Sequence, residues 1–214
     1  MKLFKEDMRK IDIISTLLCL IPFIIGICVY SIMPDQMPIH FNVSGEPDNY
    51  AGKTMVLFGL PAFFLVIHLI CIIVLESDVR RQNAGPALQI LSRFLVPVLD
   101  IAVTIVIVLF SMGKAVDVSS ILSALVAIMV TVIGVYLPKC KHNYTVGIKL
   151  PWTLADEENW DRTHRMAGTV WVVCGVLSMV SILSGEPQAM IVYIVAAVIV
   201  PVIYSFRLAC KKND

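Results

Sequence analysis

Residues 11–33, IDIISTLLCLIPFIIGICVYSIM, decide the fold. A run this long and apolar matches the roughly 20 residues that a helix needs to cross a hydrocarbon core of about 30 Å. Similar runs follow at about 54–75, 87–112, 118–137, 165–184 and 188–209. The 214 residues are 58% hydrophobic and 15% charged, with a mean hydropathy of +0.84, which excludes an ordinary soluble domain. In lipid only helices and closed barrels satisfy their own backbone, and continuous runs, unlike ten-residue alternation, select helices. The basic, then apolar, N-terminus imitates a signal peptide. Its apolar run is too long and lacks a small-residue cleavage site, so it is expected to remain as the first span. The predicted architecture is an all-α polytopic transmembrane bundle of six spans, with 1–214 as a single membrane domain.

Six spans return the chain to its starting side. Of the 17 Lys and Arg residues, only Lys53 and Lys114 lie on one face; the rest lie at the two termini, around the second loop and in the fourth. The positive-inside rule then predicts both termini in the cytoplasm, loop 34–53 outside and loop 138–164 inside. Cys19, Cys28, Cys71 and Cys174 fall inside apolar runs, Cys140 and Cys210 near their ends, and no CxxC pair occurs. Neither a disulfide staple nor a zinc site is expected.

The outer loop reads PDQMPIHFNVSGEPDNYAGK. Ile39, Phe41 and Val43 alternate with His40, Asn42 and Ser44, predicting a short extended stretch with one apolar side, followed by a turn at SGEPDN. It reads equally as a small hairpin offering Asp35, His40, Glu46 and Asp48 to something arriving from outside, or as a solvated connector. Its likeness to a phosphate loop fails, because Gly45 and Gly52 are seven positions apart where that motif needs five.

Ionisable residues within spans are functional suspects. His68, Arg93 and Asp100 stand out, with Arg93 and Asp100 on one helical face. His68 and Asp100 fall at similar depths, which allows them to meet between adjacent antiparallel helices, either as a structural pair or as part of a proton or ion pathway. Pro22, Pro61, Pro97 and Pro201 each remove a backbone donor inside a span.

The inner segment 143–165, NYTVGIKLPWTLADEENWDRTHR, is dense in polar and aromatic residues. Thr153 is a plausible N-cap for a helix running through Trp160 and His164 into the fifth span, those two on a shared face. Tyr144, Trp152 and Trp160 suit the headgroup region. No HExxH, GxSxG or paired buried carboxylates appear, so no enzyme, metal or cofactor is expected.

Together, PDQMPIHFNVSGEPDNYAGK and LPKCKHNYTVGIKLPWTLADEENWDRTHRMAG resemble the SdpI family, immunity proteins against sporulation-delaying toxin. The resemblance implies a multi-pass protein of the bacterial plasma membrane that confers resistance to a secreted antimicrobial toxin. It also implies a receptor that holds a small DNA-binding repressor at the membrane, without binding nucleic acid itself. Carried onto this chain, Pro38, His40, Phe41, Asn42 and Gly45 become the sensing residues. Asn143, Gly147, Pro151, Trp152, Thr153, Trp160, Thr163, His164 and Arg165 become the signalling or docking residues. The rival reading is a small-solute or proton-coupled transporter, motivated by Asp100, His68 and the in-span prolines.

Overall fold

A computed structural model describes the backbone of residues 2–213 and the side chains of 7–212. Lys2 and Lys5, two of the basic residues that set the predicted orientation, have side chains outside that range. Among the described residues, six helices are long and apolar enough to cross a membrane: Asp7–Val29, Met55–Ser77, Pro86–Ser111, Val118–Lys139, Glu157–Leu183 and Pro187–Lys212. The protein is therefore a multi-pass helical membrane protein. In order, the elements are α1 (Lys2–Leu18), α2 (Ile21–Val29), β1 (Gln36–Phe41), β2 (Pro47–Gly52), α3 (Leu60–Ser77), α4 (Pro86–Ser111), α5 (Val118–Tyr136), α6 (Pro151–Ala155), α7 (Glu157–Leu183) and α8 (Met190–Asn213).

The first span is two helices. Pro22 has no N–H to return to the carbonyl of Leu18, and the chain tightens before it, with Cys19 N–H donating to Thr16 O at 3.1 Å and Leu20 N–H to Leu17 O at 3.0 Å. The second span opens with a π-helical turn, Met55–Gly59, before α3.

The chain forms two compact units, one of residues 1–73 and 92–119, the other of 74–91 and 120–214. In the first, Met33, Met37, Val56, Leu57, Ile107 and Val108 form a buried apolar cluster. The outer loop is an antiparallel hairpin of β1 and β2 whose register shifts between Pro38 and His40 and again between His40 and Phe41. These irregularities overturn the expected Ile39–Phe41–Val43 apolar side. Met37 and Pro38 turn inward, Phe41 meets Phe110 edge-on at 5.3 Å, and Ile39 and Val43 are left 39% and 61% exposed. The turn is held by Asn42, whose Oδ1 accepts from the N–H groups of Ser44 (2.9 Å) and Glu46 (3.0 Å), with Gly45 at φ +82°.

In the second unit α5 and α7 approach closely. A Cβ on Gly168 would lie 2.5 Å from Pro138 and 2.8 Å from the carbonyl of Gly134, and one on Gly134 would lie 2.9 Å from Trp171. Small residues permit such backbone contact between membrane helices. Trp171 ties α7 to α8 by donating to Ala197 O at 2.8 Å.

The single helix expected from Thr153 onward is broken. Asp156, at φ −141° and ψ 111°, ends α6 and caps α7 by accepting from Glu158 N–H at 3.0 Å. Asp156 wins because the next turn begins with Glu157 and Glu158, which favour the positive end of the helix dipole. Thr153 lies within α6, its Oγ1 donating to Ile148 O (2.8 Å) and accepting from Leu150 N–H (2.9 Å).

Candidate functional site: a buried histidine–tryptophan node

The inner segment folds around Trp160, which is completely buried on the first turn of α7. Its indole N–H donates to Cys140 O at 2.8 Å. His164, one turn on, stacks on the indole with centroids 4.0 Å apart and 20° between planes. The sequence spacing predicted that shared face. The imidazole Nδ1 lies 2.8 Å from Trp160 O and Nε2 lies 2.9 Å from the backbone N of Ile148. A carbonyl can only accept and an amide can only donate, so the ring is neutral with its proton on Nδ1. His142 meets the other flank of Trp160 edge-on at 5.0 Å and Tyr144 at 5.7 Å.

Gly147, at φ +122°, completes the node: a side chain there would run into the His164 ring and the indole. Asn143 shapes the loop leading to it. Its Oδ1 accepts from Thr145 N–H (3.0 Å) and Val146 N–H (2.7 Å), and its amide donates to Lys141 O (2.9 Å) and Val146 O (3.0 Å). Burial pushes the neighbouring Cys140 thiol up to about 11, against the pull of the Asn143 amide.

The loop between α3 and α4 locks onto this segment. Asp78 accepts from Arg80 N–H (2.7 Å), Tyr144 N–H (2.9 Å) and the Thr145 hydroxyl (2.8 Å). Burial pulls its carboxyl upward, but these donors outweigh it and hold the group below the usual carboxylate range. Arg80 Nη1 donates to His142 Nδ1 at 2.7 Å and lies 3.2 Å from Glu157 Oε1, while Asn83 donates to His142 O at 2.7 Å. At the C-terminal end, Lys212 pairs with Asp156 at 2.8 Å, and that ammonium holds the carboxyl below its ordinary value. Trp152 donates to Ser205 Oγ at 2.9 Å, Asn159 to Ser205 O at 3.0 Å, and Thr163 to Asn159 Oδ1 at 2.9 Å.

The structure thus brings most of the expected inner residues into one cluster, as its interior. Asn143, Thr153, Trp160, Thr163 and His164 are buried, Trp152 and Gly147 half-buried, and Pro151 and Arg165 exposed. Trp160 is a core residue, contrary to the expectation of a headgroup-level ring. Asp78, Arg80, Asn83, Cys140 and His142 complete the node without having been singled out in sequence. For Asp78, Arg80 and Asn83 the only signal is a short charged loop, and which groups it contacts is a long-range matter.

Of the outer residues, Pro38 is buried, Phe41, Asn42 and Gly45 are half-buried, and His40 is exposed with its Nδ1 2.5 Å from Asp48 Oδ1. Within the spans, His68 and Asp100 make no hydrogen bond to each other. His68 Nε2 lies 3.4 Å from Ser15 Oγ and 3.2 Å from Thr16 Oγ1, and Arg93 pairs with Asp12 at 2.5 Å. Similar depth on neighbouring helices left the azimuth of each side chain undetermined. Among the described residues, no group of three or more His, Cys, Asp or Glu is arranged to hold a metal.

The model of the SdpI/YfhL protein family matches residues 139–205, the stretch that builds the node and runs on into α8. Over that stretch the chain is similar to the SdpI/YfhL family. A second model, Domain of unknown function (DUF1648), matches residues 17–65, from the end of α1 through the hairpin into α3. Immunity protein SdpI of Bacillus subtilis (strain 168) is 26% identical over 207 residues, covering 95% of this chain and 98% of that protein. No solved structure matches. The family segment includes every candidate inner residue from Asn143 to Arg165, and the hairpin lies inside the second match.

Proposed function

We propose that the chain is a membrane immunity protein that protects its cell from a secreted antimicrobial toxin. The observation that carries this reading is the near end-to-end alignment with a protein named for immunity, in which neither chain has a large segment to spare. On the positive-inside distribution of Lys and Arg, the hairpin is the outer receiver and the node lies in the cytoplasm, in a bacterial plasma membrane. Toxin engagement shifts the population between arrangements of the protein that differ in exposure of the inner segment. The side chains that a cytoplasmic repressor would meet are the exposed ones around the node, Lys141, Tyr144, Lys149, Arg162 and Arg165, with the buried residues as their scaffold.

Expression in a toxin-sensitive bacterium, challenged with a panel of secreted antimicrobial peptides and proteins, tests the reading. Survival against at least one member is expected, together with its loss on substituting Trp160. A chain that reaches the membrane in normal amounts and protects against none sinks the proposal. Protection that depends on solute flux in vesicles favours the transporter instead.

A further inference from the structure

A file of buried polar groups runs along the interior of the first unit. On α4, Arg93, Asp100, Thr104 and Ser111 follow at offsets of 7, 11 and 18 residues from Arg93. At about 100° per residue these return to within roughly 20° of one direction. Eighteen residues rise about 27 Å, nearly the thickness of a bilayer's hydrocarbon core. On α1 and just beyond it, Asp12, Ser15, Thr16 and Cys19 share one face by their spacing of three, four and seven. His68 adds a group from α3.

One end of the file is electrically closed. Arg93, wholly buried, pairs through Nε with Asp12. Next come the hydroxyls of Ser15 and Thr16, both donating to Asp12 O, at 3.1 and 2.7 Å. They are left to accept from His68 Nε2–H, so the His68 lone pair is on Nδ1, which is buried and has no hydrogen-bond partner among the described residues.

Asp100 is different. It is completely buried, and neither carboxyl oxygen has a hydrogen-bond partner among the described residues. Thr104 stands one turn on along α4 and acts on the carboxyl, and Cys19, at the break in the first span, lies within electrostatic range of it. Arg93, the nearest cation on the same face, is engaged by Asp12. An ionised carboxylate there would lack both donors and countercharge, an arrangement that apolar surroundings penalise heavily. A metal cation would demand several oxygen ligands, and among the described residues no group of three or more His, Cys, Asp or Glu is placed to hold one.

We propose that Asp100 is an intramembrane proton-binding site. A proton from water adds to one carboxylate oxygen, forming an O–H bond and leaving a neutral carboxylic acid; release is the reverse, and nothing is oxidised or reduced. His68 Nδ1 is a second buried polar atom in the file without a hydrogen-bond partner among the described residues. This function is separate from toxin immunity and stands or falls without it.

Infrared spectroscopy of the full-length protein in liposomes tests the proposal across a pH series. The expected result is a protonated-carboxyl band that is lost in Asp100→Asn and diminishes as the bath is made alkaline. Helical circular dichroism and elution volume report whether the variant folds. Asp100→Glu, which keeps the acid, should retain the band at a shifted position. A lipid-soluble carbodiimide, reactive toward protonated carboxyls in apolar surroundings, should tag Asp100 in the wild type and not in Asp100→Asn. A band that neither disappears in the first variant nor moves in the second overturns the proposal, as does a wild-type spectrum showing only ionised carboxylates.

Discussion

His164 lies flat against Trp160 and is pinned at both ring nitrogens, by the carbonyl of Trp160 and the amide of Ile148. The two aromatic residues behave as one rigid block to which the incoming loop is tied. His164→Ala leaves the Ile148 N–H without its acceptor, at a cost of about 1–3 kcal/mol. Denaturant unfolding in detergent micelles should show that loss. A variant as stable as the wild type would mean that the Ile148 bond contributes nothing.

Gly147 has no room for a side chain and a backbone that disfavours one. Gly147→Ala is expected to cost about 1–3 kcal/mol from the forced displacement of packed rings, with strain at positive φ adding to it. Trp160 emission should shift as its surroundings open. Gly185, at φ +82°, is the control, because a Cβ added there would meet nothing within 4 Å. Gly185→Ala carries the backbone strain alone and should cost less.

Asp78 gives the node a pH limit. Its carboxyl is held below the usual range, so the stability it contributes is complete above its unfolded pKa of about 3.9. That stability is lost as pH falls through the lower folded value. Hydrogen exchange at the Tyr144 amide, which donates to Asp78, should therefore stay slow until the medium is more acidic than about pH 4. In Asp78→Asn the same amide should exchange faster at neutral pH, and further acidification should add little.

Arg93 and Asp12 are predicted to be strongly coupled. Truncating Asp12 strands the buried Arg93 charge, at about 3–5 kcal/mol, while truncating Arg93 leaves a half-buried carboxylate and should cost less. The double replacement Asp12→Asn with Arg93→Met should cost less than the two singles combined, as a double-mutant cycle will measure. Additive effects would show that the two charges do not depend on each other.

Sidedness is open to direct labelling. In a cysteine-free background, a membrane-impermeant thiol reagent applied to intact cells should reach a cysteine at Val43, 61% exposed on the hairpin, and miss one at Tyr144, 49% exposed beside the node. Labelling of both positions would overturn the proposed orientation.

Six spans were legible because hydropathy is a local, additive property, and a run such as 11–33 needs no partner to declare itself. Trp160 and His164 were legible as a pair because four residues on a helix fix their relation. The helix break at Asp156 was harder, since Thr153 and Asp156 are both good caps and only the competition between them decides. The Asp78–Tyr144 bond was not legible at all, because it joins residues 66 apart across a loop-to-loop contact. The fate of His68 depended on rotation about a helix axis, which hydropathy and depth leave undefined. Asp12 was overlooked for a related reason: an acid near the end of an apolar run looks peripheral until its partner is known.

The same 66-residue separation constrains how the protein is made. When the loop carrying Asp78 and Arg80 leaves the ribosome, the strand of chain that will satisfy it has not been synthesised. Two more spans must be inserted before Tyr144 and Thr145 arrive. Residues 1–73 and 92–119, by contrast, are complete before that point. Biogenesis is therefore stepwise, with an early half able to settle and a late half obliged to wait. A nascent chain arrested after α5 would display unsatisfied polar groups to membrane quality-control proteases.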